Sequence, residues 1–431
     1  MSNPIDRRNF LKQASVAGIG LSLAGYFSPS ARANTQMNHN VLKKAAQRTY
    51  EDLKHVFQKS RDYWKLGHTF DTIIDYFIVT DGGDGEAAVF GKLALERYTA
   101  SHGSWYDDYA WWAIANLKAA QHQHLFGDDT AKFYDNCIQD WHKMAPAAKT
   151  WDLAQNNPKF RALKPAIAGG VWNHTYDFGD NAGYNPLNPK GDALGGYQNT
   201  VTNGLYLVLA ARLARHTGQT DKIDNPYRAA MEREYKFLQS WFTLSRPGFE
   251  PLLNFYSDDK SKAVVRERIS SYVSGLKVHG YRSDLAWAGD QGLIIGGLVE
   301  RMEIVKKGDP TYSAMLAVTR QILAGVREYL AVDGRLLAWW PDPPPGYCLR
   351  RPAGDPEDYR TGVAVYMRYL LYVYLLNNED LRPDLLPYTG FVHTNARQAM
   401  QYPSLTDGRV DSTMIALAND LAVLTAAIVI A

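Results

Sequence analysis

Two aspartates stand side by side at positions 107 and 108, with Trp105-Tyr106 before them and Trp111-Trp112 after them. Hydrolysis of a glycosidic bond needs two carboxyl groups, one to protonate the leaving oxygen and one to attack the anomeric carbon or activate water. Neighbouring residues in a helix point about 100° apart, so two aspartates in a first turn can share one wall of a pocket, at the roughly 5–5.5 Å separation of retaining enzymes. Two carboxyl groups that close cannot both ionise freely. One is expected to hold its proton as the acid while the other stays anionic.

Aspartate is also a common helix cap, and Asp128-Asp129 and Asp258-Asp259 occur in unremarkable surroundings. The aromatic flanks single out Asp107-Asp108, with Tyr106 and Trp112 as candidate sugar contacts. So does the way similar segments recur. Helical patterns begin at Tyr106-Asp107-Asp108, Tyr197-Gln198-Asn199 and Gly289-Asp290-Gln291 and stop near Gly127, Gly218 and Gly308; a looser fourth runs from Tyr359-Arg360-Thr361 to Asn377-Asn378. Asp108, Asn199 and Asp290 recur every 91 residues, a spacing that reads as two helical hairpins per step with glycine caps.

Leu205 to Ala211, and Val363 to Leu376 apart from Arg368, are apolar nearly all round and must be covered on both sides. The stretches 131–144, 225–243 and 311–330 are amphipathic and suit an outer layer. Inner and outer helices in alternation make an all-α toroid, an (α/α)6 barrel of six hairpins. Parallel inner helices would gather Asp107, Asp108, Asn199, Asn203, Asp290 and Gln291 at one mouth. Two long segments lead towards it. Gly169 to Gly196 carries Trp172, Asn173, Tyr176 and Tyr184, and Ala338 to Pro356 carries Trp339 and Trp340. Segments of that length in a compact domain are usually functional or disordered, and their aromatic content favours function. His102 and His174 lie close to these motifs, and Arg360 has Asp358 nearby to pair with.

The chain has 431 residues, 46% of them hydrophobic, enough for one large core. Its 47 basic and 45 acidic residues are scattered, so no field exists to recruit nucleic acid or anionic lipid, and a neutral substrate is expected. The 11 Trp and 27 Tyr suit the faces of sugar rings. Arg7-Arg8, then Asn9-Phe10-Leu11-Lys12, an apolar run from Ala14 to Phe27 and Ala31-Arg32-Ala33 resemble a twin-arginine export signal with a small-residue cleavage site. Residues 1–33 are therefore expected to be an export segment and 34–431 a single domain. The mature protein is then periplasmic or secreted, or tethered by an uncleaved signal, with the twin-arginine machinery as a partner. Cys137 and Cys348 are equally readable as a disulfide or as two thiols. Val410 to Ala431 is apolar but interrupted by Asn419 and Asp420, and reads as a buried helix capped by Asp411 or Ser412.

Several motifs together resemble glycoside hydrolase family 76, the α-1,6-mannanases and their transglycosylating relatives. Trp105-Tyr106-Asp107-Asp108-x-x-Trp111-Trp112 is similar to the family's paired-aspartate block, and Gly169-Gly170-Val171-Trp172-Asn173 to its Gly-Gly-Ile-Trp segment, with one Trp where two are common. Gln198-Asn199-Thr200-Val201-Thr202-Asn203-Gly204-Leu205 resembles its Lys-Asn-Ala-x-Ser/Thr-Asn-Glu helix, with Gln198 and Gly204 in place of Lys and Glu. Asp290-Gln291-Gly292 resembles its Asn-Gln-Gly turn, and Thr361-Gly362 to Tyr369-Leu370 its late helix. The resemblance spans about residues 40 to 430. It implies an (α/α)6 barrel and retaining cleavage of α-mannan-type polysaccharide, with Asp107 as nucleophile and Asp108 as acid/base. Trp172, Asn173, Asn199, Asn203, Asp290 and Gln291 join Tyr106 and Trp112 as expected substrate contacts.

Other readings of a helical toroid remain open. A sugar epimerase would place histidines at the mouth, where this chain has Asp, Asn and Gln. A non-catalytic glycan-binding or envelope-assembly protein would keep the aromatics without needing the carboxylate pair, and a transglycosylase would share the glycosyl-enzyme intermediate. No metal or cofactor is implied, and a monomer is expected.

Overall fold

The computed structural model describes residues 38–82, 85–99, 105–149, 169–173, 198–218, 224–244, 250–256, 258–268, 285–305, 307–340, 356–401 and 408–430. The expected export segment, Cys348, His102, His174, Tyr176 and Tyr184 lie outside them. Twelve long helices order the described residues: α1 His39–Phe57, α2 Tyr63–Thr80, α3 Glu86–Arg97, α4 Tyr106–Ala120, α5 Thr130–Met144, α6 Thr200–His216, α7 Pro226–Phe242, α8 Ala288–Met302, α9 Pro310–Tyr329, α10 Gly362–Leu376, α11 Tyr388–Gln401 and α12 Val410–Ile430.

The even-numbered helices form a closed ring and the odd-numbered ones lie outside it. In the ring, α2 packs on α4, α4 on α6, α6 on α8, α8 on α10, α10 on α12, and α12 back on α2. The outer helices cover it: α1 and α11 lie on α12, α5 on α4, α7 on α6 and α9 on α8. This is the six-hairpin all-α barrel that the sequence predicts. The expected outer stretches match α5, α7 and α9 to within a residue at each end.

The ring is held by composition rather than amphipathicity. Every residue of α8 is buried, and α6 is buried from Thr202 through Ala214. Small residues let these helices approach: a Cβ on Gly292 would lie 2.9 Å from the Tyr366 backbone, and one on Gly204 2.9 Å from Leu293 Cβ. α12 is long and apolar enough to cross a membrane, yet most of it is inside the fold, where it closes the ring. Asp411 and Ser412 sit inside its first turn rather than at its cap, and Asp411 accepts a hydrogen bond from Ser60 Oγ at 2.6 Å.

Two expectations need correction. Among the described residues each 91-residue step carries one inner and one outer long helix, a single hairpin. The register also differs. The inner helices start at Tyr106, Thr200 and Ala288, so Asp108 and Asp290 share the third position, whereas Asn199 is a cap. Gly127, Gly218 and Gly308 do adopt positive φ, but only Gly218 follows an inner helix directly; the other two introduce α5 and α9.

Far from the helix starts, the barrel interior is ionic. Asp75, Lys118, Arg212 and Glu300 occupy the same position in α2, α4, α6 and α8, counted from each first residue. Lys118 Nζ lies 2.8 Å from Asp75 and 2.5 Å from Asp71, and Arg212 Nε 2.6 Å from Glu300, which also receives Arg215. Arg368 of α10 donates to the His68 carbonyl and Thr72 Oγ1 and lies 3.3 Å from Asp71. Burial alone would raise the Asp71 carboxyl, but Lys118 and Arg368 hold it well below the usual carboxylate range. Buried pairs of this kind add little net stability relative to apolar residues, while removing one partner is costly.

Candidate active site

The starts of the inner helices gather at one mouth, and three of them, those of α4, α6 and α8, are completed by a connection from the next hairpin. A first-turn N–H has no partner within its own helix. The N–H of Tyr106 in α4 donates to the Asn173 carbonyl at 2.9 Å, that of Thr200 in α6 to Glu267 at 2.9 Å, and that of Ala288 in α8 to Ala338 at 2.8 Å. The connections are pinned in turn by side-chain amides one turn into the following helix. Asn203 Oδ1 accepts the Val171 N–H at 2.7 Å, and its Nδ2 donates to the Val171 carbonyl. Gln291 does the same to Val265, at 2.7 and 2.8 Å. Both amides also donate to the carbonyl four residues back, Asn199 and Trp287 respectively.

These bonds decide what several expected substrate contacts do. Asn203 and Gln291 are fully buried and their amides are occupied by backbone, so they hold the rim of the mouth rather than face a ligand. Asn199 caps α6, its Oδ1 accepting the Thr202 N–H at 3.2 Å. Trp112 is fully buried, its indole N–H donating to the Tyr63 carbonyl at 2.7 Å and its ring packed among Tyr63, Phe70 and Tyr98, which makes it core. Trp172, 1% exposed, is equally interior. Asn173 and Tyr106 are buried, and Asn173 acts through its carbonyl. The aromatic surface at the mouth comes from elsewhere. Trp105 is 42% exposed, and Trp64, Trp339 and Tyr359 are partly so, with Trp339 and Tyr359 in ring contact.

Asp107 and Asp108 lie in the first turn of α4 and stay partly accessible. Burial pushes the Asp107 carboxyl up to about 7, with Asp358 adding to the rise; backbone N–H groups of the helix start and the Arg268 guanidinium act in the opposite direction. Asp108 is raised well above the carboxylate range, first by burial and then by Asp107, Asp62 and Asp358, with Lys65 opposing. The two adjacent groups therefore differ in environment. Asp107 has donors and a guanidinium that favour its anion, and Asp108 is surrounded by carboxyl groups that favour its acid form.

Sequence reading missed most of that surrounding cluster. Asp62 caps α2 and Lys65 lies in its first turn, with Lys65 Nζ 2.8 Å from Asp62 Oδ2 and 3.6 Å from Asp358 Oδ1. Asp358 belongs to the short helical segment Pro356–Arg360 ahead of α10. Arg268 and Glu267, both buried and paired at 3.0 Å, stand between Asp107 and Asp290. The available signal was the pattern Asp62-Tyr63-Trp64-Lys65, a polar and aromatic helix start of the same kind as Trp105 to Asp108. Asp290 is fully buried, neither of its oxygens has a hydrogen-bond partner among the described residues, and burial and then Glu267 push its carboxyl well above the usual carboxylate range while Arg268 opposes. Arg360 is exposed and its carbonyl accepts from Asn419 Nδ2. Cys137 is buried, and burial keeps its thiol protonated.

The fold is shared with solved glycoside hydrolase family 76 α-mannanases. The α-1,6-mannanase of Salegentibacter sp. HEL1_6, crystallised as an inactive variant with two consecutive aspartates changed to asparagine and bound to α-1,6-mannotriose, superposes with a TM-score of 0.58 at 15% identity, covering 90% of this chain and 100% of that one. Dfg5 from Chaetomium thermophilum, in complex with glucosamine, gives 0.58 at 16% identity over 94% of this chain and 92% of that one. The family 76 α-mannanase of Bacteroides thetaiotaomicron gives 0.51 at 10% identity over 91% and 96%. No family profile and no curated protein matches the sequence.

Proposed function

We propose that this chain is a family 76 glycoside hydrolase that cleaves α-1,6-linked mannose polymers with retention of configuration, with Asp107 as nucleophile and Asp108 as acid/base. The observation that carries the reading is the unequal environment of two adjacent carboxyl groups at the mouth of the barrel. Asp107, favoured as an anion by helix-start amides and Arg268, attacks the anomeric carbon. Asp108, favoured as an acid, gives its proton to the departing glycosidic oxygen, so that the sugar is left as an ester of Asp107. The Asp108 carboxylate then takes a proton from water as that water attacks the same carbon, which frees Asp107 and restores the acid. Trp105 and Trp339 offer faces on which pyranose rings can stack.

Support also comes from the Salegentibacter enzyme, whose inactive variant lacks two consecutive aspartates. The N-terminal pattern places the mature protein outside the cytoplasm in this reading, where a polysaccharide would reach it. The test is hydrolysis of linear α-1,6-mannan by the mature chain beside Asp107→Asn and Asp108→Asn, with the first product's anomeric configuration followed by NMR. Release of the retained anomer by wild type alone supports the reading. An inert wild type that still binds mannooligosaccharide replaces it with a glycan-binding role.

A further inference from the structure

Lysine is almost never buried unless paired, yet Lys65 is 4% exposed at the mouth. Its ammonium reaches Asp62 on its own helix and Asp358 from the segment before α10, lies 5.7 Å from the centre of the Trp64 ring, and acts on Asp108 of α4. One cation is thus shared by three parts of the ring. The groups around Asp108 are Asp107 from its own helix, Asp62, Tyr63 and Lys65 from α2, and Asp358. Arg268, bound to Glu267, acts on the Asp107 side. Each of the two carboxyl groups therefore has its own cation, and the two cations differ in what else they hold.

We propose that Lys65 is a positioning residue: by holding Asp62 and Asp358 as its ion-pair partners it balances the negative charge around Asp108, the group on that side of the mouth that gives up its proton in the reaction. This rests on Asp108 being the acid/base of the reaction proposed above. The physical argument is charge balance. Without Lys65, three carboxyl groups face Asp108 with no ammonium among them, the cluster takes up further protons, and Asp108 gives up its own less readily. A weaker acid slows departure of poor leaving groups more than good ones.

The experiment compares wild type with Lys65→Met, Lys65→Arg and Asp62→Asn. Titration of Asp108 is followed by carboxyl 13C NMR, assigned by difference from Asp108→Asn, and the pH profile of kcat/KM is measured on α-1,6-mannan. Lys65→Met is expected to move the Asp108 midpoint and the basic limb up by about one pH unit, Lys65→Arg to leave both near wild type, and Asp62→Asn to move both down. Should Lys65→Met fail to fold, Asp62→Asn still gives a shift of defined sign. An unmoved Asp108 midpoint in the folded variants overturns the inference, even if activity falls. A wild type inert on mannan, with the midpoint shifted in Lys65→Met, removes the hydrolase reading and leaves the charge-balancing role of Lys65 standing.

Discussion

The carbonyl oxygen of Asn173 accepts the N–H of Tyr106 at 2.9 Å, so the helix that carries Asp107 and Asp108 is completed by a residue of another hairpin's connection. Asn203 holds the same connection by both backbone groups of Val171. The orientation of the two carboxyl groups thus depends on an amide in α6 that touches neither of them.

Replacing Asn203 with Leu, close in size and unable to hydrogen bond, leaves the Val171 N–H and carbonyl without their buried partner. The expected cost is roughly 2–4 kcal/mol, read by denaturant unfolding. Hydrogen exchange should speed up at the Val171 and Tyr106 amides together. Faster exchange at Val171 alone would show that the connection does not act as one unit with the start of α4.

A carboxyl whose folded pKa is raised contributes stability that is complete below its unfolded value and is lost as pH rises through the folded one. For Asp107 that window runs from the ordinary carboxylate range to about 7. Asp107→Asn should therefore melt like wild type in acid and above it at mildly alkaline pH, by on the order of 1–2 kcal/mol because the group is partly screened by solvent. Calorimetry across pH checks this, and a difference independent of pH would count against the assignment.

The two kinds of tryptophan at the mouth should separate cleanly. Trp112→Ala empties a fully buried site and should cost about 3–5 kcal/mol. Trp105→Ala should change the melting temperature little while weakening mannooligosaccharide binding several-fold. Calorimetric melting with binding titration distinguishes them; equal destabilisation by both would contradict their different exposure.

Glu300 sits between Arg212 and Arg215 inside the barrel. Glu300→Gln keeps the shape but leaves the buried Arg212 guanidinium without its carboxylate, and the exposed Arg215 with it, at an expected cost of roughly 3–5 kcal/mol. Denaturant midpoints at low and high salt check it, and because the pair is buried the loss should depend only weakly on salt.

Where the resembling family has Glu, this chain has Gly204, and the structure supplies a reason. Its helix crosses α8 so closely that even a Cβ would crowd Leu293. Gly204→Glu is expected to prevent folding at physiological temperature, visible as lost helical ellipticity or insoluble expression. A stable, active Gly204→Glu protein would show that the α6–α8 contact can open.

The barrel was legible in the sequence wherever an inner helix was apolar on all sides, as in α6 and α10, because such a helix can only be covered from both faces. α2 escaped notice for the opposite reason. Its buried Lys65, His68, Asp71 and Asp75 read as a polar face, since a sequence does not show that these charges are neutralised by α4 and α10. The site divided in the same way. Adjacent aspartates among aromatics marked the candidate site, but spacing could not tell whether Asn203 and Gln291 point at a sugar or at backbone. Asp62, Lys65, Arg268 and Asp358 are distant in sequence and meet only when the ring closes.

That closure is made by α12 against α2, the first and last helices of the inner ring. On the ribosome, Asp62 and Lys65 emerge long before Asp358, and the ring cannot shut until the residues from 410 onward have been synthesised. A nascent chain therefore holds its aspartate pair without the finished mouth, and the cluster of carboxyl groups and cations there comes into being only after translation has reached α12.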